Sequence, residues 1–165
     1  DAAQSGQSRG AQVWCGTSAS AFQSDPVLSQ HYTGAVVTHT PPLTRTLNLL
    51  ASLLDGGVLC SWGWGVYGQL GHGDTQSQYS PKVVERLNRL SVMRLACGYR
   101  HTMVVTSSPH AVWAWGWGRH GQLGLGKWED IASPKPLNFA AADEVVSLCL
   151  GGRHSLALCA EEVEV

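Results

Sequence analysis

Charge is scarce in this chain: Asp, Glu, Lys and Arg make up 14% of 165 residues. Eleven basic residues face 12 acidic ones, for a formal net charge of -1. So even a balance leaves no broad electrostatic footprint for nucleic acid or an anionic membrane. Long apolar runs are missing too, and none approaches the roughly 20 residues of a membrane-spanning helix. The opening stretch from Asp1 to Gly10 lacks the charged and apolar regions of a secretory signal. The five cysteines include no Cys-x-x-Cys pair, and their number is odd. Cys60, Cys97 and Cys149 fall in apolar, strand-like runs, so they read as buried reduced thiols in a reducing compartment. No GxxxxGK[ST] loop is present to cradle a phosphate.

What the chain does have is glycine and tryptophan, 19 and seven of them, beside only two phenylalanines. Many glycines with few charges indicate tight turns and strands rather than long helices. The tryptophans also set a register. Trp62 matches Trp115 and Trp64 matches Trp117, at a constant offset of 53 residues. At that offset Gly68-Gln69-Leu70-Gly71 falls on Gly121-Gln122-Leu123-Gly124, and Ser80-Pro81-Lys82 falls on Ser133-Pro134-Lys135. Gly98, Arg100 and His101 likewise fall on Gly151, Arg153 and His154, with no gap anywhere. Ungapped similarity at such a period marks a repeat architecture, in which no unit buries its apolar face alone.

Within a repeat the pattern predicts short strands joined by turns. Val112–Gly116 is an aromatic strand ending in glycine, and the glycine-rich loop follows it. Ser-Pro reads as the next turn. Val92–Ala96 and Val145–Leu148 are short β-prone runs, continued after Gly98 and Gly151 by Thr102–Thr106 and Ser155–Cys159. Four short strands in about 50 residues is the signature of a propeller blade. The match extends back to residue 47 and then fails. Residues 1–46 therefore read either as a degenerate blade or as an N-terminal extension, and residues 47–165 as repeats whose last copy is incomplete. Val165 aligns with Val112 and Leu59, just before an aromatic strand. Propellers close with about four to eight blades, so the expectation is an arc belonging to a longer protein or completed by another chain.

The elements WG, GxxGQLGxG, SP and Gly-x-x-His-[Ser/Thr] resemble the RCC1 repeat family, named for the regulator of chromosome condensation. They stand at Gly65–Gly73 with Gly98–Thr102, and at Gly118–Gly126 with Gly151–Ser155. The resemblance implies an all-β fold, an arc of a seven-bladed propeller with four-stranded blades of about 53 residues. Within the family the wording is most similar to the plant ultraviolet-B photoreceptor and to the propellers of large ubiquitin ligases. Tyr99 and Gly152 stand where that photoreceptor has chromophore tryptophans, whereas Arg100 and Arg153 match its dimer arginines. The family's exchange factor acts on a small GTPase through one propeller face and an inserted wedge, and no segment here matches that wedge.

Each recurrent motif has a turn or packing explanation, so no catalytic, cofactor-binding or metal-binding residue is expected. His101 and His154 read as ties between neighbouring loops and strands, because no recurring carboxylate or nucleophile accompanies them. The recurrent tryptophans read as packing between blades. The non-recurrent Trp113 and Trp128 are the better partner-surface candidates, with Trp128, in a polar loop, the first choice. Arg100, Arg119 and Arg153 could face an acidic partner or form salt bridges inside the propeller. The candidate partner-binding set is thus Arg100, Arg119, Trp128 and Arg153. The expected function is a non-catalytic, intracellular scaffold for a protein partner, cytoplasmic or nuclear. The alternatives are nucleotide exchange or other regulation of a small GTPase and, after that, an ultraviolet-B photoreceptor-like dimer.

Overall fold

The computed structural model describes residues 36–38, 50–54, 56–107, 109–138 and 144–160. They form ten strands: β1 (Val36–Thr38), β2 (Leu50–Leu53), β3 (Leu59–Gly63), β4 (Gln78–Val83), β5 (Val92–Cys97), β6 (His101–Ser107), β7 (His110–Gly116), β8 (Ile131–Pro136), β9 (Glu144–Leu150) and β10 (Ser155–Ala160). One 3-10 turn, Glu85–Leu87, lies between β4 and β5. The sheets run β1-β2-β3-β4, β5-β6-β7-β8 and β9-β10, and every neighbouring pair is antiparallel. Two four-stranded blades and the beginning of a third make an open propeller arc. Of residues 1–46 only β1 is described, so the reading of that region as a blade or an extension otherwise lies outside the described residues.

The second blade shows why its strands read as continuous apolar runs rather than as alternating ones. Side chains of a strand point to opposite faces with period two, and here both faces are covered. Val104 of β6 packs with Leu59, Leu70, Trp113 and Trp115 in the core between the first and second blades. Met103 and Val105 point the other way, into a second core with Leu123, Val145 and Leu148. β7 splits alike, with Trp113 and Trp115 on the first face and Val112 and Ala114 on the second.

Two expectations are corrected here. Ser80-Pro81-Lys82 and Ser133-Pro134-Lys135 are not turns; they lie inside β4 and β8. Both are the last strand of their sheet. Proline, lacking an N–H, is tolerated on an edge strand, and the register of each pairing is interrupted there. Cys60 and Cys97 are buried as expected, but Cys149 is exposed. Leu148 and Leu150 of β9 point into the core, which turns the intervening Cys149 to the other face.

Candidate protein-interaction face

The glycine-rich loop after β3 is built to receive side chains from the next blade. Gln69 is buried, and its Oε1 accepts the Tyr67 N–H at 2.9 Å, folding the loop back on itself. The Gln69 carbonyl then accepts two donors from the second blade, Thr102 Oγ1 at 2.9 Å and Trp115 Nε1 at 2.8 Å. Gly71 makes room for that indole. Its φ is +79°, and a Cβ there would lie 2.7 Å from Trp115 Nε1. Trp115 is fully buried as a result. The recurrent tryptophan is therefore an inter-blade packing residue, as its recurrence predicts.

His101 performs the tie expected of it. Its ring is buried, and Nε2 lies 2.9 Å from Ser155 Oγ in the next blade. Ser155 Oγ in turn donates to the Gln122 carbonyl at 2.7 Å, repeating the bond from Thr102 to Gln69 one unit earlier. His154 is exposed instead.

Arg100 follows Tyr99 in the turn between β5 and β6. Its guanidinium lies over four aromatic rings: Tyr67 at 4.6 Å, Tyr99 at 5.0 Å, Trp117 at 5.2 Å and Trp64 at 5.7 Å. Two of these rings come from the loop after β3, one from its own turn and one from the residue just after β7. The Trp117 N–H holds the turn in place by donating to the Arg100 carbonyl at 2.8 Å. Among the described residues no carboxylate forms an ion pair with Arg100, and its Nε is buried without a hydrogen-bond partner. Of the two sequence alternatives, Arg100 does not form the internal salt bridge among the described residues. It is held by cation–π contacts, worth about 0.5–2 kcal/mol depending on desolvation.

The other candidates gather on the same side. In an antiparallel sheet the β5–β6 and β7–β8 connections leave from one end, and the Tyr99 N–H, donating to the Gly151 carbonyl at 3.2 Å, brings in the β9–β10 turn. That turn carries Arg153, which is exposed. Arg119, after β7, pairs with Asp130 through Nε–Oδ2 at 3.2 Å, so it is the arginine that makes an internal salt bridge. Asp130 Oδ1 also accepts the Gly118 N–H at 3.1 Å, closing the loop as Ser77 closes its counterpart at Gly65. Trp128 is 74% exposed on that loop, and its ring lies beside Gly121. Trp113 is corrected: it is buried, with Nε1 donating to Thr106 Oγ1 at 3.2 Å. A residue that does not recur can still fill a core.

Tyr67, Tyr99 and Gln69 are missing from the sequence-derived set. Gln69 had a signal, since a polar residue repeated at Gln122 inside a glycine loop needs a hydrogen-bonding reason. Tyr67 had none, because its counterpart is His120. The His120 ring nonetheless packs against Trp117, tilted by 56° with centroids 4.6 Å apart.

Burial holds the His72 ring below the ordinary histidine range, and Lys82 adds to this. The Ser61 carbonyl, Asp74 and Glu85 pull the other way. Burial alone raises the Cys60 thiol. Among the described residues no three His, Cys, Asp or Glu side chains cluster as a metal site, and no helix is long and apolar enough to cross a membrane.

The comparisons with known proteins bear on this geometry. The Regulator of chromosome condensation (RCC1) repeat matches residues 56–105 and 110–158, and a second form of that repeat matches residues 94–122. The chain is 36% identical over 110 residues to Ultraviolet-B receptor UVR8 of Arabidopsis thaliana, covering 67% of this chain and 25% of that protein. It is 44% identical over 101 residues to Protein RCC2 of Mus musculus, covering 61% of this chain and 19% of that protein. The chain thus spans a quarter or less of these two relatives. In fold it resembles human WBSCR16, with a TM-score of 0.60 at 24% identity over 79% of this chain and 33% of that one. It also resembles Prp20p from Saccharomyces cerevisiae, with a TM-score of 0.61 at 20% identity over 78% of this chain and 32% of that one. The repeat matches cover more than half of the sequence and coincide with the blades, so this chain belongs to the RCC1-repeat family.

Proposed function

We propose that this chain is a protein-interaction module whose working face is the loop side carrying Arg100, Arg153, Trp128 and Arg119, and that its partner is a small GTPase. One observation carries the choice of face: the Arg100 guanidinium is oriented by four rings, while among the described residues no carboxylate pairs with it. A cation fixed in this way has lost its rotamer entropy in advance and suits an acidic group on a partner. Arg153 and Trp128 extend the surface with a second cation and an exposed indole, both residue types enriched in binding hot spots.

The choice of partner rests on the family. The structure of Prp20p was described together with its binding to Gsp1p and histones, and the exchange factor of this family acts on a small GTPase. A pure scaffold on the same face is the coarser form of this reading. Light sensing draws no comparable support, since Tyr99 and Gly152 replace both tryptophans at the positions that matter. The buried thiols of Cys60 and Cys97 fit a reducing intracellular setting, cytoplasmic or nuclear.

Binding of the chain to Gsp1p and to other small GTPases, nucleotide-free and loaded, tests the proposal by interferometry with parallel nucleotide-release assays. Arg100→Ala is expected to weaken binding on the order of tenfold or more, as central arginines do. Arg86→Ala, at an exposed arginine of the 3-10 turn between β4 and β5 and away from this face, is expected to change it by no more than about twofold. Faster nucleotide release assigns exchange activity, and binding without it leaves a scaffold. No binding to any GTPase overturns the choice of partner.

A further inference from the structure

Nearly half of the chain's basic charge lies in one short stretch. Residues 82–100 hold five of the 11 basic residues, Lys82, Arg86, Arg89, Arg94 and Arg100, but only one of the 12 acidic ones, Glu85. Arg86 and Arg89 belong to the connection between β4 and β5, where backbone bonds span three residues. The Leu87 N–H donates to the Val84 carbonyl at 2.9 Å, Asn88 to Glu85 at 3.2 Å and Leu90 to Leu87 at 2.9 Å. At three residues per turn, side chains three apart fall in one row. Val84 and Leu87 are fully buried, and Leu90 packs against the same core, so these make the inward row. Glu85 and Asn88 make a second row, with Asn88 Nδ2 donating to Glu85 Oε2 at 3.4 Å. Arg86 and Arg89 make the third, and both are exposed.

The blade does not need this third row. Among the described residues neither arginine forms an ion pair, and like charges at this spacing repel. The following repeat has no cation there, since Phe139 and Ala142 stand at the 53-residue offset. The row is also remote from Arg100. It precedes the start of β5 at Val92, whereas Arg100 follows the end of β5 at Cys97. That strand separates the two sites by roughly 17 Å.

We infer that Arg86 and Arg89 form a docking ridge for an extended acidic peptide segment of a partner protein, with carboxylates at alternate positions. The spacing carries the choice. Residues three apart in a 3-10 turn rise by about 6 Å. Alternate residues of an extended strand project to one side about 6.6–6.8 Å apart. Each guanidinium presents a planar fork that takes one carboxylate through two parallel N–H bonds. Two cations are few for nucleic acid, whose affinity comes from neutralising many phosphates. The ridge is independent of the partner proposed for Arg100.

Chemical-shift titration of the intact, isotope-labelled chain at low ionic strength tests this with the capped peptide Gly-Val-Glu-Val-Glu-Val-Gly. Saturable shifts are expected at the amides of residues 84–91, with little change at residues 98–102. Arg86→Gln and Arg89→Gln, at exposed positions, are expected to leave the Tm unchanged. Each should weaken binding about threefold to fivefold, and the two together on the order of tenfold. The isomer Gly-Val-Glu-Glu-Val-Val-Gly, whose carboxylates point to opposite sides, should bind about threefold more weakly. Arg100→Ala should leave peptide affinity within about twofold. GTPase binding, in turn, is expected to be indifferent to Arg86, so either reading can fail alone. Equal binding of the isomer overturns the inference, as does binding that survives the double substitution or no saturable shift at millimolar peptide. Loss of peptide binding in Arg100→Ala would put the acidic segment on the other face and overturn it. Tighter Arg86-dependent binding of oligothymidylate than of the peptide would make nucleic acid the occupant and overturn it equally.

Discussion

Met103 and Leu156 occupy the same position of successive repeats, yet one is buried and the other is mostly exposed. The local sequence is not responsible, since both lie in a β-strand two residues after the histidine of a Gly-x-Arg-His turn. The neighbours are responsible: Met103 is covered by Val145 and Leu148 of the third blade, whereas no described residue covers Leu156 on the corresponding face. Between the first and second blades, Trp115 fills the Gln69–Gly71 berth, and Arg100 lies in its ring of aromatics. Between the second and third, the matching berth is a groove, and Arg153 is exposed. A repeat motif thus encodes half of a junction, and the other half is supplied by the adjoining unit.

The sharpest way to break this comparison is to empty the filled junction. Trp115→Ala should destabilise the chain by about 3–5 kcal/mol, the range for a buried tryptophan, as read from urea denaturation. Trp128→Ala, by contrast, should stay within about 0.5 kcal/mol because its ring is solvated. Equal effects would mean that the junction does not hold the arc together.

The two histidines give a smaller contrast of the same kind. His101→Gln removes a buried tie to Ser155 and should cost about 1–3 kcal/mol. The exposed His154→Gln should again fall within about 0.5 kcal/mol.

The smallest effect lies at His72, whose counterpart is Leu125. Because burial lowers its pKa in the fold, the folded chain binds fewer protons than the unfolded one at mildly acidic pH. Stability is whole above the ordinary histidine value of about 6.5 and declines as the pH falls through the lower folded value. His72→Gln should flatten that decline in Tm measured from pH 7 to pH 5.

Much of the fold was legible because the sequence repeats. The offset located the blade period, the strand after each Gly-x-x-His turn and the inter-blade role of Trp115 and His101. What stayed hidden depends on contacts that no local pattern encodes. Arg100 meets rings from residues 64, 67 and 117, so its cage exists only once two blades are stacked. Ser-Pro implied a turn by local preference, but an edge strand removes the penalty that makes proline a breaker. Trp113 did not recur and still fills a core, because its partner Thr106 lies in the adjacent strand of the same blade. Cys149 looked buried in an apolar run, yet the face it points to is uncovered.

Residue-resolved amide hydrogen exchange across β6 and β10 of the unmodified chain tests the central claim most directly. If the neighbouring unit completes each junction, β6 amides should exchange more slowly than their β10 counterparts by on the order of a hundredfold or more. Equal protection of the two strands would contradict the account, since each repeat would then be stabilising itself.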